Sequence, residues 1–219
     1  MQTIAIILAG GVGTRTNLKE PKQYFIHDGL SILEHLISRV AFFFDQIFIV
    51  NRDPTYAFLH EYGNVTFVSS GATRLSSIQN GIQAVNNLAD SIVMIHDAAR
   101  PMIGKKILED HMRELKPGWA TISVMSQSQG ILIGEGRILR RFYSHKSSEI
   151  YQAMLPQFYY GSDLQNNITK IMTAKEDLDI PEILQQTLTF SLVEVDHQAE
   201  KITYYEDIKR VLDATNQNS

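Results

Sequence analysis

The residues best suited to chemistry lie near the start of the chain. They form the run Leu8-Ala9-Gly10-Gly11-Val12-Gly13-Thr14-Arg15, with Pro21-Lys22-Gln23 shortly after it. Glycines let backbone N–H groups approach a ligand without interference from a Cβ atom, and successive N–H groups in such a turn form an anion-binding concavity. Arg15 and Lys22 add two positive charges to the same loop. The residue types and their spacing therefore predict a site that binds and polarises phosphate groups.

Two familiar glycine loops do not fit this spacing. A P-loop needs Gly-Lys-Ser or Gly-Lys-Thr at the start of a helix, and no such tripeptide follows. A dinucleotide-binding fingerprint needs a third glycine where Thr16 stands, and an acidic residue after the second strand, where Asn51 and Arg52 stand. A turn that merely joins a strand to a helix stays open as an alternative, but it leaves both cations and the Pro-Lys-Gln step without a role.

A second candidate site is the run Ile95-His96-Asp97-Ala98-Ala99-Arg100-Pro101, at the end of a predicted strand. Ligands of open α/β sheets bind at the carboxyl ends of the strands, so this run belongs at the same edge as the glycine loop. A carboxylate there can hold Mg²⁺, which also binds substrate phosphates. Asp97 as a turn or helix cap remains the alternative. We interpret His96 as a packed, hydrogen-bonded histidine.

Two further segments carry weaker signals. In the run from Ser70 to Ile78, Gly71 allows close approach of a flat ligand, and Ser77 offers a hydroxyl from the first turn of a helix. These groups suit the edge of a nucleobase, although an ordinary turn with Thr73 as the N-cap is the alternative. Late in the chain, Lys201 could add a third cation to the phosphate site, but a lone lysine is usually solvated.

Composition narrows the function class. The 219 residues suit one domain spanning the whole chain, and the net charge of −4 argues against a nucleic-acid binder. No apolar run approaches the length of a membrane span, and no basic region precedes an apolar core at the N-terminus. The absence of cysteine excludes disulfides and thiolate metal sites and fits a reducing compartment. These features together predict a cytoplasmic enzyme with no membrane partner.

Apolar strands alternate with amphipathic helices along the chain, which predicts an α/β fold whose mostly parallel sheet has helices on both faces. The predicted strands are 3–8, 46–50, 65–68, 91–95, 120–125 and 190–195. The predicted helices are 31–43, 73–85, 105–115, 161–172 and 204–214. Residues 129–148 interrupt this alternation, and we interpret them as a short β-arm outside the sheet.

Together these segments, in this order, resemble the 2-C-methyl-D-erythritol 4-phosphate cytidylyltransferase family, which includes the ribitol-5-phosphate cytidylyltransferases. The family pattern is Leu-Ala-(Ala/Gly)-Gly-x-Gly-x-Arg, Pro-Lys-Gln, Gly-Gly-x-x-Arg-x-x-Ser, His-Asp-Ala-(Ala/Val)-Arg-Pro, Thr-Pro-Gln and a late Asn-x-Lys-(Ile/Val)-Thr. The resemblance extends from Ile4 to about Leu212. It implies a Rossmann-like nucleotidyltransferase fold and a homodimer formed through the β-arm. It also implies a Mg²⁺-dependent transfer of CMP from CTP to an alditol phosphate, a step of isoprenoid biosynthesis.

The resemblance also assigns roles to individual residues. It places the metal carboxylate at Asp97, the triphosphate-binding catalytic cations at Arg15, Lys22 and Lys201, and an acceptor-facing cation at Arg100. The positions that match nucleotide-holding residues of the family are Ala9, Gly10, Gly11, Gly71 and Ser77.

The chain departs from the family mainly in the half of the site that binds the acceptor. Ser126-Gln127-Ser128-Gln129 replaces Asp-Thr-x-Lys, Leu155 and Leu178 replace threonines, and Ser147, next to Lys146, replaces an arginine. Ala199-Glu200-Lys201 replaces Asn-x-Lys, and Ser70 replaces a glycine. We therefore expect an intact nucleotidyl-transfer site with altered acceptor specificity.

Three hypotheses about the function follow. The acceptor implied first is 2-C-methyl-D-erythritol 4-phosphate. Ribitol 5-phosphate or another alditol phosphate is the alternative, slightly favoured by the Ala-Gly-Gly form of the loop. A nucleotide-binding protein without catalysis stays open as a different class, but such a protein has no need of the full set of charges.

Overall fold

The computed structural model describes residues 1–12, 20–52, 62–127, 131–135, 138–143 and 150–213. In these ranges the strands are β1 (Gln2–Leu8), β2 (Ile26–His27), β3 (Leu30–Ser31), β4 (Gln46–Asn51), β5 (Val65–Ser69), β6 (Ser91–Asp97), β7 (Trp119–Ser126), β8 (Ile131–Glu135), β9 (Ile138–Tyr143), β10 (Tyr151–Tyr160) and β11 (Thr189–Glu194). The helices are α1 (Ile32–Val40), α2 (Arg74–Gln83), α3 (Lys105–Glu114), α4 (Gly161–Asn166), α5 (Ile168–Met172), α6 (Ile180–Leu184) and α7 (Tyr205–Asp213).

Seven strands form one mixed sheet in the order β11-β7-β10-β6-β1-β4-β5. Strand β10 runs antiparallel to both of its neighbours, and the other neighbouring pairs are parallel. The predicted mostly parallel α/β fold is therefore confirmed. Because β1, β4, β5 and β6 are parallel, the segments that follow them emerge at one edge of the sheet. The glycine loop after β1 and Asp97 at the end of β6 therefore lie at that edge.

Helices cover both faces of the sheet, as predicted. Alternate residues of the buried central strands pack into two separate apolar layers. Helices α2, α4, α5 and α6 pack on the layer that includes Ile4 and Ile6, and α1 and α3 pack on the layer that includes Ala5 and Ile7. A third, smaller cluster joins α7 to Ile202 and to the start of α1. This cluster anchors the segment that carries Lys201.

The hairpin of β8 and β9 lies outside the seven-stranded sheet, within the predicted arm 129–148. The two strands pair antiparallel from Ile131 opposite Tyr143 to Glu135 opposite Ile138, with a register shift after Ile133. Residues 128–130, 136–137 and 144–149 of the arm lie outside the described ranges, and with them Ser147 and Lys146. Where the structure does describe the arm, it is β-structure.

One strand of the sheet was not predicted. Strand β10 has ten residues and fills the position between β6 and β7, but the sequence analysis assigned no element between the arm and residue 161. Pro156 obscures it, because proline cannot donate to a ladder and usually argues against an inner strand. The chain accommodates Pro156 at a register shift between Ala153 and Gln157, where the ladder is already interrupted.

The helical prediction near the C-terminus was wrong in two details. The predicted helix 161–172 is divided into α4 and α5 at Asn167, whose side-chain amide donates to the carbonyl oxygen of Asp163 at 2.9 Å, since asparagine competes with helical hydrogen bonds. Helix α6 was missed, although Asp179 and Glu182 form its capping box and that spacing marks a helix start. None of the helices in the described ranges is long and apolar enough to cross a bilayer.

Candidate active site

A pocket of about 370 Å³ lies at the carboxyl ends of β1 and β6. Four segments that are distant in sequence line it: the glycine loop with Lys22, the turn from Gly71 to Ser77, the run from Asp97 to Ala99, and Lys201 with Thr203. The structure thus brings together the four segments that the sequence analysis singled out. Arg15 lies outside the described residues.

The glycine loop is supported from below by the Pro-Lys-Gln step. The buried side chain of Gln23 donates through Nε2 to the carbonyl oxygens of Ala9 at 2.6 Å and Gly11 at 3.0 Å. Gly10 packs against the next turn, and a Cβ atom there would lie 2.6 Å from the Cβ of Ser70. Gly10 is therefore required by Ser70, the residue that replaces a family glycine. Ala9, Gly10 and Gly11 all line the pocket.

The second turn is stabilised by hydroxyl groups at the start of α2. Thr73 and Ser76 form the capping box of this helix, so Thr73 is its N-cap, as the alternative interpretation of this turn had it. The hydroxyl of Ser77 donates to the carbonyl oxygen of Thr73 at 2.8 Å and accepts from the N–H of Gly71 at 3.1 Å. A Cβ atom at Gly71 would collide with Ser76. Gly71 and Ser77 line the pocket, and the Ser77 hydroxyl holds the turn in place.

Asp97, the last residue of β6, carries the carboxylate of the pocket. Its Oδ1 accepts from Nη1 of Arg74 at 2.5 Å, and its Oδ2 accepts from Nζ of Lys201 at 2.6 Å. Burial by itself would raise the pKa of Asp97, but the two neighbouring cations outweigh it and hold the pKa well below the usual range. In the described part of the chain, the carboxylate meets side-chain cations and caps no helix. The cap alternative therefore finds no support.

Two lysines reach the pocket from opposite ends of the chain. Nζ of Lys22 donates to the carbonyl oxygen of Ile202 at 2.6 Å, next to Lys201. The segment after Lys201 is held in turn by the N–H of Ile202, which donates to the carbonyl oxygen of Ala99. Lys22, Lys201 and Asp97 therefore surround one space, although 180 residues separate Lys22 from Ile202.

Arg100 lies behind the pocket and not on its lining. Its side chain is buried, and Nη1 donates to the carbonyl oxygen of Ala199 at 2.6 Å and contacts Sδ of Met154 at 3.6 Å. Nε of Arg100 is buried with no partner among the described residues. His96 is fully buried and pairs through Nε2 with the carbonyl oxygen of Arg100. Burial lowers the pKa of His96 to about 4, in keeping with its interpretation as a packed, hydrogen-bonded histidine.

Sequence reasoning missed two cations of the pocket. Arg74 contacts Asp97 and also approaches Asp179, with 3.6 Å between Nε and Oδ2. Its signal was the arginine of the Gly-Gly-x-x-Arg-x-x-Ser pattern, to which no role had been given. Arg52, at the end of the strand next to β1, lines the pocket and donates through Nε to the carbonyl oxygen of Gly10 at 3.0 Å. Arg52 had entered only as a reason to reject a dinucleotide fingerprint.

Comparison with known proteins shows the family of this chain. Residues 3–213 match the family model described as "IspD: 2-C-methyl-D-erythritol 4-phosphate cytidylyltransferase". A "Bifunctional enzyme IspD/IspF" of Pelagibacter ubique is 29% identical over 95% of this chain, and the chain spans 56% of that protein's length. A "Ribitol-5-phosphate cytidylyltransferase" of Streptococcus agalactiae serotype V is 30% identical over 75% of this chain and 73% of that protein.

Solved structures show the same fold. The crystal structure of 4-diphosphocytidyl-2C-methyl-D-erythritol synthase from Anaerococcus prevotii superposes with a TM-score of 0.80 at 21% identity, covering 99% of this chain and 96% of that one. The family match extends over almost the entire chain and includes every segment that lines the pocket. The chain therefore belongs to the 2-C-methyl-D-erythritol 4-phosphate cytidylyltransferase (IspD) family of nucleotidyltransferases.

Proposed function

We propose that the chain catalyses Mg²⁺-dependent transfer of CMP from CTP to an alditol phosphate and releases pyrophosphate. The observation that carries this proposal is the convergence of the glycine loop, the Asp97 carboxylate, Lys22 and Lys201 on one pocket. Backbone amides and cations suit a triphosphate. A carboxylate among them is out of place in a simple anion site but suits a site that also takes a divalent cation.

The nucleotide half of the pocket is assigned to the two glycine turns. Ala9, Gly10, Gly11, Gly71 and Ser77 would hold the nucleotide. In each turn a glycine, Gly10 or Gly71, lies so close to neighbouring atoms that a side chain at its position would collide with them. Lys22, Lys201 and Arg15 would bind the triphosphate and stabilise the charge that develops on the oxygens of the α-phosphate. Preorganised cations contribute most where charge develops in the transition state.

The residues of the pocket fit Mg²⁺. Asp97 is ionised, and within the described ranges no three His, Asp or Glu side chains converge on a common point. Mg²⁺ is usually held by one or two carboxylates together with water and substrate phosphates, so one aspartate beside a phosphate-binding loop is a suitable donor set. When bound there, Mg²⁺ would neutralise phosphate charge and polarise phosphoryl oxygens.

The reaction needs no general base from the protein. A phosphate oxygen of the acceptor is already ionised at neutral pH, and it attacks the α-phosphorus of CTP. The new bond joins that oxygen to the α-phosphorus, and the bond from the α-phosphorus to the bridging oxygen of the β-phosphate breaks. Pyrophosphate leaves with that electron pair. The chain therefore has to position two anions against each other, which is the task of its cations.

The acceptor is proposed from the family and from the substitutions in the acceptor half. We name 2-C-methyl-D-erythritol 4-phosphate first, and ribitol 5-phosphate second because a ribitol-5-phosphate cytidylyltransferase is a 30% identical relative. An acceptor role for Arg100 is proposed from the family resemblance alone, since its buried side chain lies behind the described lining of the pocket. Leu155 is buried in β10 and cannot hydrogen-bond an acceptor hydroxyl as a threonine would.

Pyrophosphate release tests the proposal. CTP and Mg²⁺ are incubated with methylerythritol 4-phosphate, ribitol 5-phosphate and other alditol phosphates, and Asp97→Asn serves as the matched control because it keeps the side-chain shape without the charge. We expect release with at least one acceptor by the parent chain and little by the variant. For methylerythritol 4-phosphate we expect kcat/KM at least about tenfold below the range usual for enzymes, with ordinary CTP affinity. Release with no acceptor, despite CTP binding, would favour the non-catalytic reading.

The family also supports proposals about the setting of the reaction. We propose a homodimer in the cytoplasm, with the hairpin of β8 and β9 at the interface. This hairpin lies outside the main sheet, and a two-stranded hairpin by itself is marginally stable in water. A partner subunit would provide the surface that it lacks.

A further inference from the structure

Arg74 contacts two carboxylates that belong to different parts of the fold. Its Nη1 lies 2.5 Å from Oδ1 of Asp97, at the end of β6, and its Nε lies 3.6 Å from Oδ2 of Asp179, before α6. The Arg74 side chain is 37% exposed, and those of Asp97 and Asp179 are 8% and 35% exposed. The guanidinium group therefore lies between a nearly buried carboxylate and a more solvated one.

The two cations on Asp97 differ in what else they can reach. Lys201 pairs with Asp97 and has no other carboxylate partner in the described ranges. Arg74 already has a second partner, and a planar guanidinium with several donors can shift from one carboxylate to the other. A divalent cation at Asp97 would repel Arg74, since like charges a few ångströms apart interact unfavourably. Asp179 offers Arg74 a compensating charge within reach.

We propose that Arg74 is the exchangeable counterion of Asp97, and that Asp179 receives its guanidinium group when a divalent cation binds Asp97. The proposal rests on the proposed function in one respect, namely that Asp97 is the metal carboxylate. Arg74 and Asp179 are then positioning residues, because they act on the metal site through Asp97. Neither residue had been assigned a role.

The exchange links the nucleotide half of the pocket to the acceptor half. Asp179 is also the N-cap of α6: its Oδ1 accepts from the N–H of Ile180 at 2.9 Å, and Glu182 closes the capping box. Leu178, one of the substituted acceptor-half residues, immediately precedes it. A stronger ion pair between Arg74 and Asp179 would hold the start of α6 against the pocket after the metal binds.

Metal binding without nucleotide tests the exchange. Binding of Mn²⁺, a paramagnetic substitute for Mg²⁺, is followed by electron paramagnetic resonance with neither CTP nor acceptor present. Arg74→Gln removes the competing cation, so we expect Mn²⁺ affinity to rise about fivefold, the upper range for a partly exposed ion pair. Asp179→Asn keeps an efficient N-cap but removes the receiving charge. We expect this variant to bind Mn²⁺ about threefold more weakly, because Arg74 then stays on Asp97.

The double variant separates exchange from simple electrostatics. In the Arg74→Gln background, Asp179→Asn should have no further effect, because there is no guanidinium group left to receive. A weakening of the same size in both backgrounds would mean that Asp179 acts only by its own charge, and it would overturn the proposal. Glu182→Gln is the matched control, since it keeps the capping box and leaves the Arg74 contact untouched.

The remaining outcomes of the Mn²⁺ measurements also test the proposal. Failure of Arg74→Gln to bind Mn²⁺ more tightly than the parent chain, including no detectable binding by either, would overturn the proposal. Should Arg74→Gln fail to fold, Asp179→Asn retains its cap and still predicts weaker binding. Asp97→Asn distinguishes the proposed metal role of Asp97 from the proposed exchange of Arg74. Unchanged Mn²⁺ binding by that variant would refute the metal role itself. Loss of binding there, with no effect of Arg74 or Asp179, would refute the exchange alone.

Discussion

Lys22 connects two parts of the pocket that are far apart in the chain. Its ammonium group lies against the carbonyl oxygen of Ile202, and it lines the same space as Asp97. Arg74, Asp97 and Lys201 form a second connection of this kind. These single side chains, more than the backbone, determine the charge of the space that a triphosphate would enter.

Replacement of Lys22 by alanine tests its assigned role. We expect kcat for pyrophosphate release to fall about a hundredfold, the scale for loss of one preorganised charge contact. Folding should be retained because the residue lies in a 3-10 turn at the pocket edge. Lys170→Ala, an exposed lysine of α5, is the control and should leave turnover unchanged. Near-normal turnover by Lys22→Ala would refute the role.

The glycine loop packs tightly against the turn that follows β5. Gly10 has no room for a Cβ atom because Ser70 occupies that space. Gly10→Ala should therefore lower the free energy of unfolding by about 1 to 3 kcal/mol, the usual range for overpacking, and weaken CTP binding. Adding Ser70→Gly should restore both. Thermal unfolding and CTP titration measure the effects. Gly63→Ala is the control, because a Cβ there meets nothing within 4 Å and Gly63 does not line the pocket. Failure of Ser70→Gly to rescue Gly10→Ala would show that the clash is not the cause.

Helix α3 is joined to β7 through a buried histidine. His111 pairs through Nδ1 with Thr121 at 2.7 Å and through Nε2 with Ser123 at 2.8 Å, and its ring stacks on Phe158. Burial lowers the pKa of His111 from 6.5 to about 3. In acid the unfolded chain therefore binds a proton that the folded chain does not, and stability falls as the pH drops below 6.5.

Urea unfolding between pH 7 and pH 4.5 measures this effect. We expect His111 to contribute a loss of about 1.4 kcal/mol for each pH unit below its unfolded pKa. His111→Gln should be less stable at pH 7 but should show a shallower pH dependence. Gln165→Ala, at an exposed and non-titratable residue of α4, is the control and should keep the parent slope. Equal slopes for the parent chain and His111→Gln would contradict the assignment.

At the scale of the whole molecule, helices cover both faces of the main sheet, and the hairpin of β8 and β9 lies outside that sheet. Deletion of residues 130–143 tests the proposed interface. We expect the molar mass from light scattering to change from dimer to monomer. CTP binding should persist, because no residue of the hairpin is among the described residues that line the pocket. An unchanged dimer mass would place the interface elsewhere.

The sequence by itself determined the elements and the chemical segments, because these depend on local patterns. The apolar run before the glycine loop, the Thr73 cap and the strand leading to Asp97 can each be identified within a few residues. Parallel strands deliver their carboxyl ends to one edge, so even the meeting of the glycine loop with Asp97 could be predicted. The pocket that both segments line in the structure agrees with that prediction.

Only the tertiary structure decided which side chains pair across that edge. Arg74, Asp97, Asp179 and Lys201 are far apart in the chain, and their contacts depend on the order of the strands and on the placement of α6. Strand β10 was hidden by Pro156, whose place at a register shift has no local signal. Long-range pairing of charges is set by the packing of the whole sheet, and no local pattern of residues records it.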